Sequence, residues 1–234
     1  MTLRFAGFVV AALLASSASA QGLDWRVTPY IWGTSIDGEI GLGAVRRDVD
    51  LEFSDILNVL SGALLMHVEA QKDDHVAFGD LAWFAVEPED VATIEGVDEA
   101  ELDATILELG YARASGASGF EVGLRYWDID VEIDPALTAG IRRGDDWVDA
   151  FAGFRNKREL GGSWDMTTRA NLGAGGSDLS IGFQIDFARE LERGNAFVAG
   201  FRLIDLDYEE DNVRGIPVVV DLTFLGATVG FMFD

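Results

Sequence analysis

From Trp25 onward, apolar and polar residues alternate with a period of two along almost the whole chain. That is the spacing at which successive side chains of a β-strand point to opposite faces. Near the end, Leu225, Ala227, Val229, Phe231 and Phe233 form a large apolar face, and Phe224, Gly226, Thr228, Gly230 and Met232 a mostly small one. In Asp165–Gly173, Met166, Thr168, Ala170 and Leu172 alternate with Asp165, Thr167, Arg169, Asn171 and Gly173. Ile181, Phe183, Ile185 and Phe187 then alternate with Ser180, Gly182, Gln184 and Asp186. The same pattern marks Trp25–Ile36, Leu64–Gln71, Val76–Val86, Leu102–Ala114, Phe120–Ile133, Val148–Arg155 and Ala196–Tyr208, which predicts ten strands in all. Their lengths suit the ~9–11 residues of a transmembrane strand. No segment after Gln21 reaches the ~20 apolar residues of a transmembrane helix, so a helical membrane protein is excluded.

Connections alternate in character. Lys72–Asp74, Ser115–Ser118, Glu159–Ser163 and Leu191–Gly194 are short, whereas Glu87–Glu99, Pro135–Asp146 and Glu209–Gly215 are longer or more acidic. Short turns on one side and long loops on the other fit an antiparallel transmembrane β-barrel of about ten strands, with eight or twelve as alternatives. Residues 38–60 do not fit as another wall strand. Glu39–Gly43 and Asp48–Phe53 suit a small hairpin, and Ser54 suits the N-cap of a helical turn running to Leu60. An even number of crossings makes this stretch an excursion at the extracellular mouth. Gly123–Asp130 (GLRYWDID) and Gly200–Asp207 (GFRLIDLD) are alike. In both, alternation slips, at Tyr126/Trp127 and Leu203/Ile204, as a β-bulge would make it do.

Composition changes this picture in three ways. The 234 residues carry 17 Lys+Arg against 41 Asp+Glu, a formal charge of −24, which argues against nucleic acid or anionic headgroups as electrostatic partners. There is no cysteine, hence no disulfide, thiolate metal site or cysteine nucleophile. Residues 1–20 read as a signal peptide: Arg4, an apolar run Phe5–Ala15, then Ala18-Ser19-Ala20 for cleavage before Gln21. Residues 21–234 then form one barrel domain.

A soluble lipocalin-like barrel would alternate too, with its apolar face inside. Charges on the polar faces favour a wet lumen and a lipid-facing apolar exterior. Phe183, Ile185 and Phe187 are then expected to meet lipid, with Gln184 and Asp186 inside. Alternation, with the two slips, places Arg26, Glu69, Glu121, Arg125, Asp128, Asp149, Arg155, Arg169, Asp186, Arg202 and Asp205 in the lumen. Such a set is either a salt-bridge network that fills a narrow barrel or the lining of a small passive pore.

Four stretches resemble the uncharacterised outer-membrane β-barrel proteins of Gram-negative bacteria: Val27–Gly38 (VTPYIWGTSIDG), Asp48–Leu57 (DVDLEFSDIL), Gly123–Asp130 and Asp146–Asp149 (DWVD). The resemblance implies an integral outer-membrane barrel with no catalytic residues, inserted by the outer-membrane assembly machinery. Barrels of this kind usually finish on an aromatic residue, whereas here Asp234 follows Phe233.

The remaining constellations favour plain readings. His67 shares a strand face with Glu69 but has no serine beside it, so an interior histidine is expected rather than the catalytic base of a lipid-modifying enzyme. The acidic stretches Glu87–Asp103 and Asp205–Asp211 lack a calcium-loop pattern and read as outer loops, with divalent bridging to lipopolysaccharide phosphates as an alternative. Trp25, Trp83, Trp127, Trp147, Trp164 and Tyr208 suit an interfacial girdle. No cofactor or metal is expected. The partners are outer-membrane lipid and lipopolysaccharide, with the assembly machinery during biogenesis. The expected role is non-enzymatic, and the alternatives are a lipid-modifying enzyme and a soluble periplasmic ligand-binding barrel.

Overall fold

A strand with two chemically different faces must turn one of them away from the other's solvent, and closing the sheet satisfies every strand at once. The computed structural model describes residues 22–42, 45–54, 56, 60–86, 97–135, 141–191, 194–211 and 217–234. Residues 1–20, expected to be a signal peptide, and residues 87–96 of the acidic stretch Glu87–Asp103 lie outside them. Eleven strands follow in order: β1 (Asp24–Leu42), β2 (Val45–Leu51), β3 (Leu60–Lys72), β4 (His75–Val86), β5 (Val97–Ser115), β6 (Ser118–Pro135), β7 (Ile141–Gly161), β8 (Trp164–Gly175), β9 (Leu179–Glu190), β10 (Ala196–Asp211) and β11 (Pro217–Met232).

Ten of them form the wall of a closed antiparallel barrel. Each of β3 to β11 pairs with the next, and β11 returns to β1 over Tyr30–Leu42. A bridge between Val27 and Phe233, with both backbone hydrogen bonds at 2.9 Å, ties the two ends of the wall together. The two-residue turns 73–74, 116–117 and 162–163, and the connection 191–195, all sit at the end where β1 begins and β11 finishes. Asp73, Gly116, Gly162 and Ser163 take positive φ there, as tight hairpins require. Closed, antiparallel, even in wall strands and short-turned at the terminal end, this is the architecture of bacterial outer-membrane barrels.

β2 is the eleventh strand. β1 pairs with β3 only over Asp24–Pro29, and with β2 over Ile36–Leu42. Between the two ladders a wedge opens. The Phe53 ring packs over Gly33 there, where a Cβ would stand 3.1 Å from the ring. Ile56, from the same turn, is buried in the interior core. The Ile56 amide donates to the Glu52 carbonyl at 3.1 Å, so Ser54 lies inside this turn rather than at its cap.

Several strands overrun their predicted ends. β1, β5, β6 and β7 are 19, 19, 18 and 21 residues long. The loops begin as paired extensions of the hairpins, so ladder hydrogen bonding continues past the point where one-sided burial, and with it clean alternation, ends.

Two predicted bulges are absent. Pairing runs unbroken through Tyr126–Trp127 in β6 and Leu203–Ile204 in β10. Asp128 and Asp205 therefore share parity with Leu124 and Leu203 and stand on the outward face, half-buried. This corrects their placement in the lumen. The cause is a local apolar interior: Trp127 and Ile204 point inward into a hydrophobic cluster, so both faces are apolar there and alternation blurs without any slip. The girdle reading is corrected for the same reason. Trp127, Trp147 and Tyr208 are buried inside and stacked in a row, with ring centroids 6.0 and 4.2 Å apart. Trp25 and Trp83 are exposed on the outside.

Candidate functional site

The interior is layered. In the half away from the turns, Trp32, Ile36, Ile56, Trp127, Trp147, Tyr208 and Phe224 belong to one hydrophobic cluster that fills the lumen. Next to it lies a layer of charge, and beyond that, toward the turns, a polar vestibule of about 210 Å³.

Register builds the charged layer. His67 opposes Asp80, Asp80 opposes Glu108, Glu108 opposes Arg125 and Arg125 opposes Asp149, one inward residue on each of β3 to β7. Next to this row, glycine makes room for large rings. A Cβ on Gly110 would stand 2.2 Å from the Phe78 ring, and one on Gly123 would stand 2.4 Å from that of Phe151. Gly182 does the same for a guanidinium, since its Cβ would fall 2.8 Å from Arg125 Nη2.

Glu108 is the hub. Arg125 Nε donates to it at 2.9 Å, while Arg169 Nη2 and Arg202 Nη2 lie 3.5 Å away. Arg125, fully buried, also donates to Ser180 Oγ at 3.0 Å and Asn171 Oδ1 at 2.7 Å. Arg169 forks onto Glu121 at 3.0 and 3.2 Å and lies 4.3 Å from the Phe78 ring centroid. Arg202 Nη1 donates to Asp80 and to the Tyr30 hydroxyl, both at 2.6 Å. His67 has Asp80 3.0 Å from Nδ1 and Glu69 3.2 Å from Nε2, and Arg155 pairs with Glu69. Carboxylates only accept, so this geometry calls for a donor proton on both ring nitrogens. Each of these charges thus meets an opposite one, which offsets the cost of its desolvation.

The eleven residues read from the sequence divide accordingly. Glu69, Glu121, Arg125, Arg155, Arg169 and Arg202 meet in the charged layer. Asp149 is fully buried beside it but binds no cation: Trp127 Nε1 donates to it at 3.1 Å, and Ser177 donates from its amide at 2.8 Å and its hydroxyl at 2.7 Å. Arg26 and Asp186 line the vestibule. Asp128 and Asp205 are on the outward face, where Asp205 accepts the Thr223 hydroxyl at 2.7 Å. The sequence reading missed Asp80 and Glu108, which sit on faces dominated by Val76, Phe78 and Phe84 and by Ile106. A partial signal was available: an acid deep in the membrane-spanning part of a strand cannot face lipid, whereas the outward Asp128 and Asp205 lie level with the rim residues Asp146 and Asp37.

No protein-family model matches the chain, and no curated protein matches it. Solved structures do. The translocator domain of autotransporter NalP from Neisseria meningitidis is 12% identical, with TM-score 0.45, covering 98% of this chain and 94% of that one. The outer membrane protease OmpT from Escherichia coli is 7% identical, with TM-score 0.48, covering 93% and 99%. Ail, the attachment invasion locus protein of Yersinia pestis, is 10% identical, with TM-score 0.40, covering 91% and 99%. The likeness is one of fold.

Proposed function

We propose that the protein is an integral, non-enzymatic barrel of the outer membrane whose lumen is sealed by its own side chains. One observation carries this: the outward face is an apolar belt between two charged rims. On β5 the outward residues between Arg113 and Asp103 are Tyr111, Leu109, Leu107 and Thr105. Those ten residues of rise, at ~3.4 Å each and a tilt of ~40°, span about 25 Å, the height of a membrane-facing band. Ile31 and Phe120, each 68% exposed, and Phe154, 61% exposed, lie in the same belt. Outward Arg113, Arg158 and Arg189 rim the turn end, and outward Asp37, Asp103, Asp146, Asp207 and Asp221 rim the other. The turns then lie in the periplasm and the acidic rim outside, next to lipopolysaccharide. The assembly machinery would act on the chain only during insertion.

Inside, the charged layer and the aromatic cluster support a plug over a pore. The void between Glu108, Arg169 and Arg202 in the charge layer is about 10 Å³, enough for one water. His67, with both ring nitrogens facing carboxylates, supports a structural histidine rather than a catalytic base. Two measurements test the reading. Salt- and carbonate-washed envelopes should retain the protein until detergent is added. Planar bilayers containing it should show no steady conductance. Recovery in the soluble periplasmic fraction would overturn the location, and ready ohmic conductance would overturn the plug.

A further inference from the structure

The vestibule has charge left over. It opens among the turns, where Gly116 and Ala117 line it, and ends against Tyr30, His67 and Arg169. Two of its ion pairs are complete, Arg155 with Glu69 and Lys157 with Asp165, the latter at 3.1 Å. Arg26 has one long hydrogen bond, from Nη1 to Gln71 Oε1 at 3.4 Å, and no anion among the described residues. Asp186 accepts the Gln184 amide at 2.7 Å and has no cation within ion-pair distance among them. Two further lining atoms, Arg155 Nη1 and Thr228 Oγ1, are buried with no hydrogen-bond partner among the described residues. Thr228 is only 5% exposed, so this hydroxyl has lost water without gaining a replacement.

These groups are arranged by polarity. Asp186 Oδ1 and Thr228 Oγ1 both lie against the bare backbone of Gly200, 2.3 and 3.0 Å from where a Cβ would stand, which puts them within about 5.3 Å of each other. That spacing lets one ammonium group in the vestibule donate to both oxygens at ~2.8 Å each. The unused Arg155 Nη1 and the nearly free Arg26 guanidinium offer donors for a carboxylate. We propose that the vestibule binds a small zwitterion, an aminocarboxylate, with its ammonium at Asp186 and Thr228 and its carboxylate at Arg26 and Arg155. A volume of about 210 Å³ has room for such a molecule in place of several waters. A simple anion would leave Asp186 unpaired, and a simple cation would leave Arg26 unpaired.

The test is calorimetric titration of the detergent-solubilised full-length protein with ω-aminocarboxylates of increasing chain length, starting from glycine and β-alanine. Acetate and methylammonium serve as half-ligands. One chain length should bind at least about tenfold more tightly than either half-ligand. Asp186→Asn and Arg26→Gln should each weaken it by about tenfold. Thr228→Val should weaken it too while leaving the thermal midpoint unchanged or raised, because that hydroxyl makes no bond in the free protein. The proposal fails if no aminocarboxylate gives binding heat, if acetate binds as tightly as the best zwitterion, or if the three substitutions leave affinity unchanged.

Discussion

At the scale of single residues, two carboxylates on similar alternating strands have opposite standing. Glu108 is buried under three arginines, whereas Asp205 stands outward and half-buried beside Thr223. Glu108→Gln should cost about 3–5 kcal/mol, because Arg125, Arg169 and Arg202 lose their shared counter-charge in a dry layer. Asp205→Asn should stay within about 0.5 kcal/mol, since an amide oxygen still accepts the Thr223 hydroxyl. Urea midpoints of the refolded variants in micelles decide this, and equal losses would return Asp205 to the interior. Asp207, on the outer rim, has its carboxyl raised above the usual aspartate range, first by lost solvation and then by the charges of Asp221, Asp178, Asp205 and Glu209. A carboxyl raised in the folded state binds its proton more tightly there than in the unfolded chain. Its ionised form therefore costs stability at neutral pH, and that cost fades as pH falls through the folded pKa toward the unfolded one. NMR titration of the Asp207 side chain should show the raised midpoint. Asp221→Asn should bring it down, and so should high salt.

At the scale of strands, alternation was readable wherever the interior is polar. In β8 and β9 it fixes every facing correctly, because Arg169, Asn171, Ser180 and Gly182 contrast with Ala170, Leu172 and Phe183. In β4 and β5 the inner face is mostly apolar, so the contrast vanishes and only the isolated acids Asp80 and Glu108 mark it, and in β6 and β10 the contrast vanishes beyond Arg125 and Arg202, where the interior turns apolar. The charged layer was thus half-legible. Its arginines stand out on polar faces, while the hub carboxylate lies on a greasy one. What no reading of single strands can supply is the register that sets Glu108 opposite Arg125. Facing in β9 has a direct test. Ile185→Arg should cost about 2–4 kcal/mol in reversible unfolding from bilayers. Gln184→Arg should cost much less, since that position borders the wet vestibule. Equal costs would mean the strand is turned over.

At the scale of the whole molecule, the barrel is a ring in which the first and last wall strands are neighbours, stitched at Val27 and Phe233. A ring has no privileged starting point. A chain of residues 22–234 with Asp234 joined to Gly22 through a short glycine-serine linker, and cut in the β7–β8 turn between Gly162 and Ser163, would be a circular permutant that keeps every wall pairing. Its new ends would stay on the side of the short turns. If pairing alone determines the fold, this permutant should refold from urea into micelles with wild-type resistance to heat in gel electrophoresis. Failure would show that chain order guides closure. Inside cells the same molecule separates the sequence of β11 from its place after the other wall strands. Normal insertion would mean that β11 is recognised wherever it lies, and loss of insertion alongside successful refolding would mean that its place in the chain order matters.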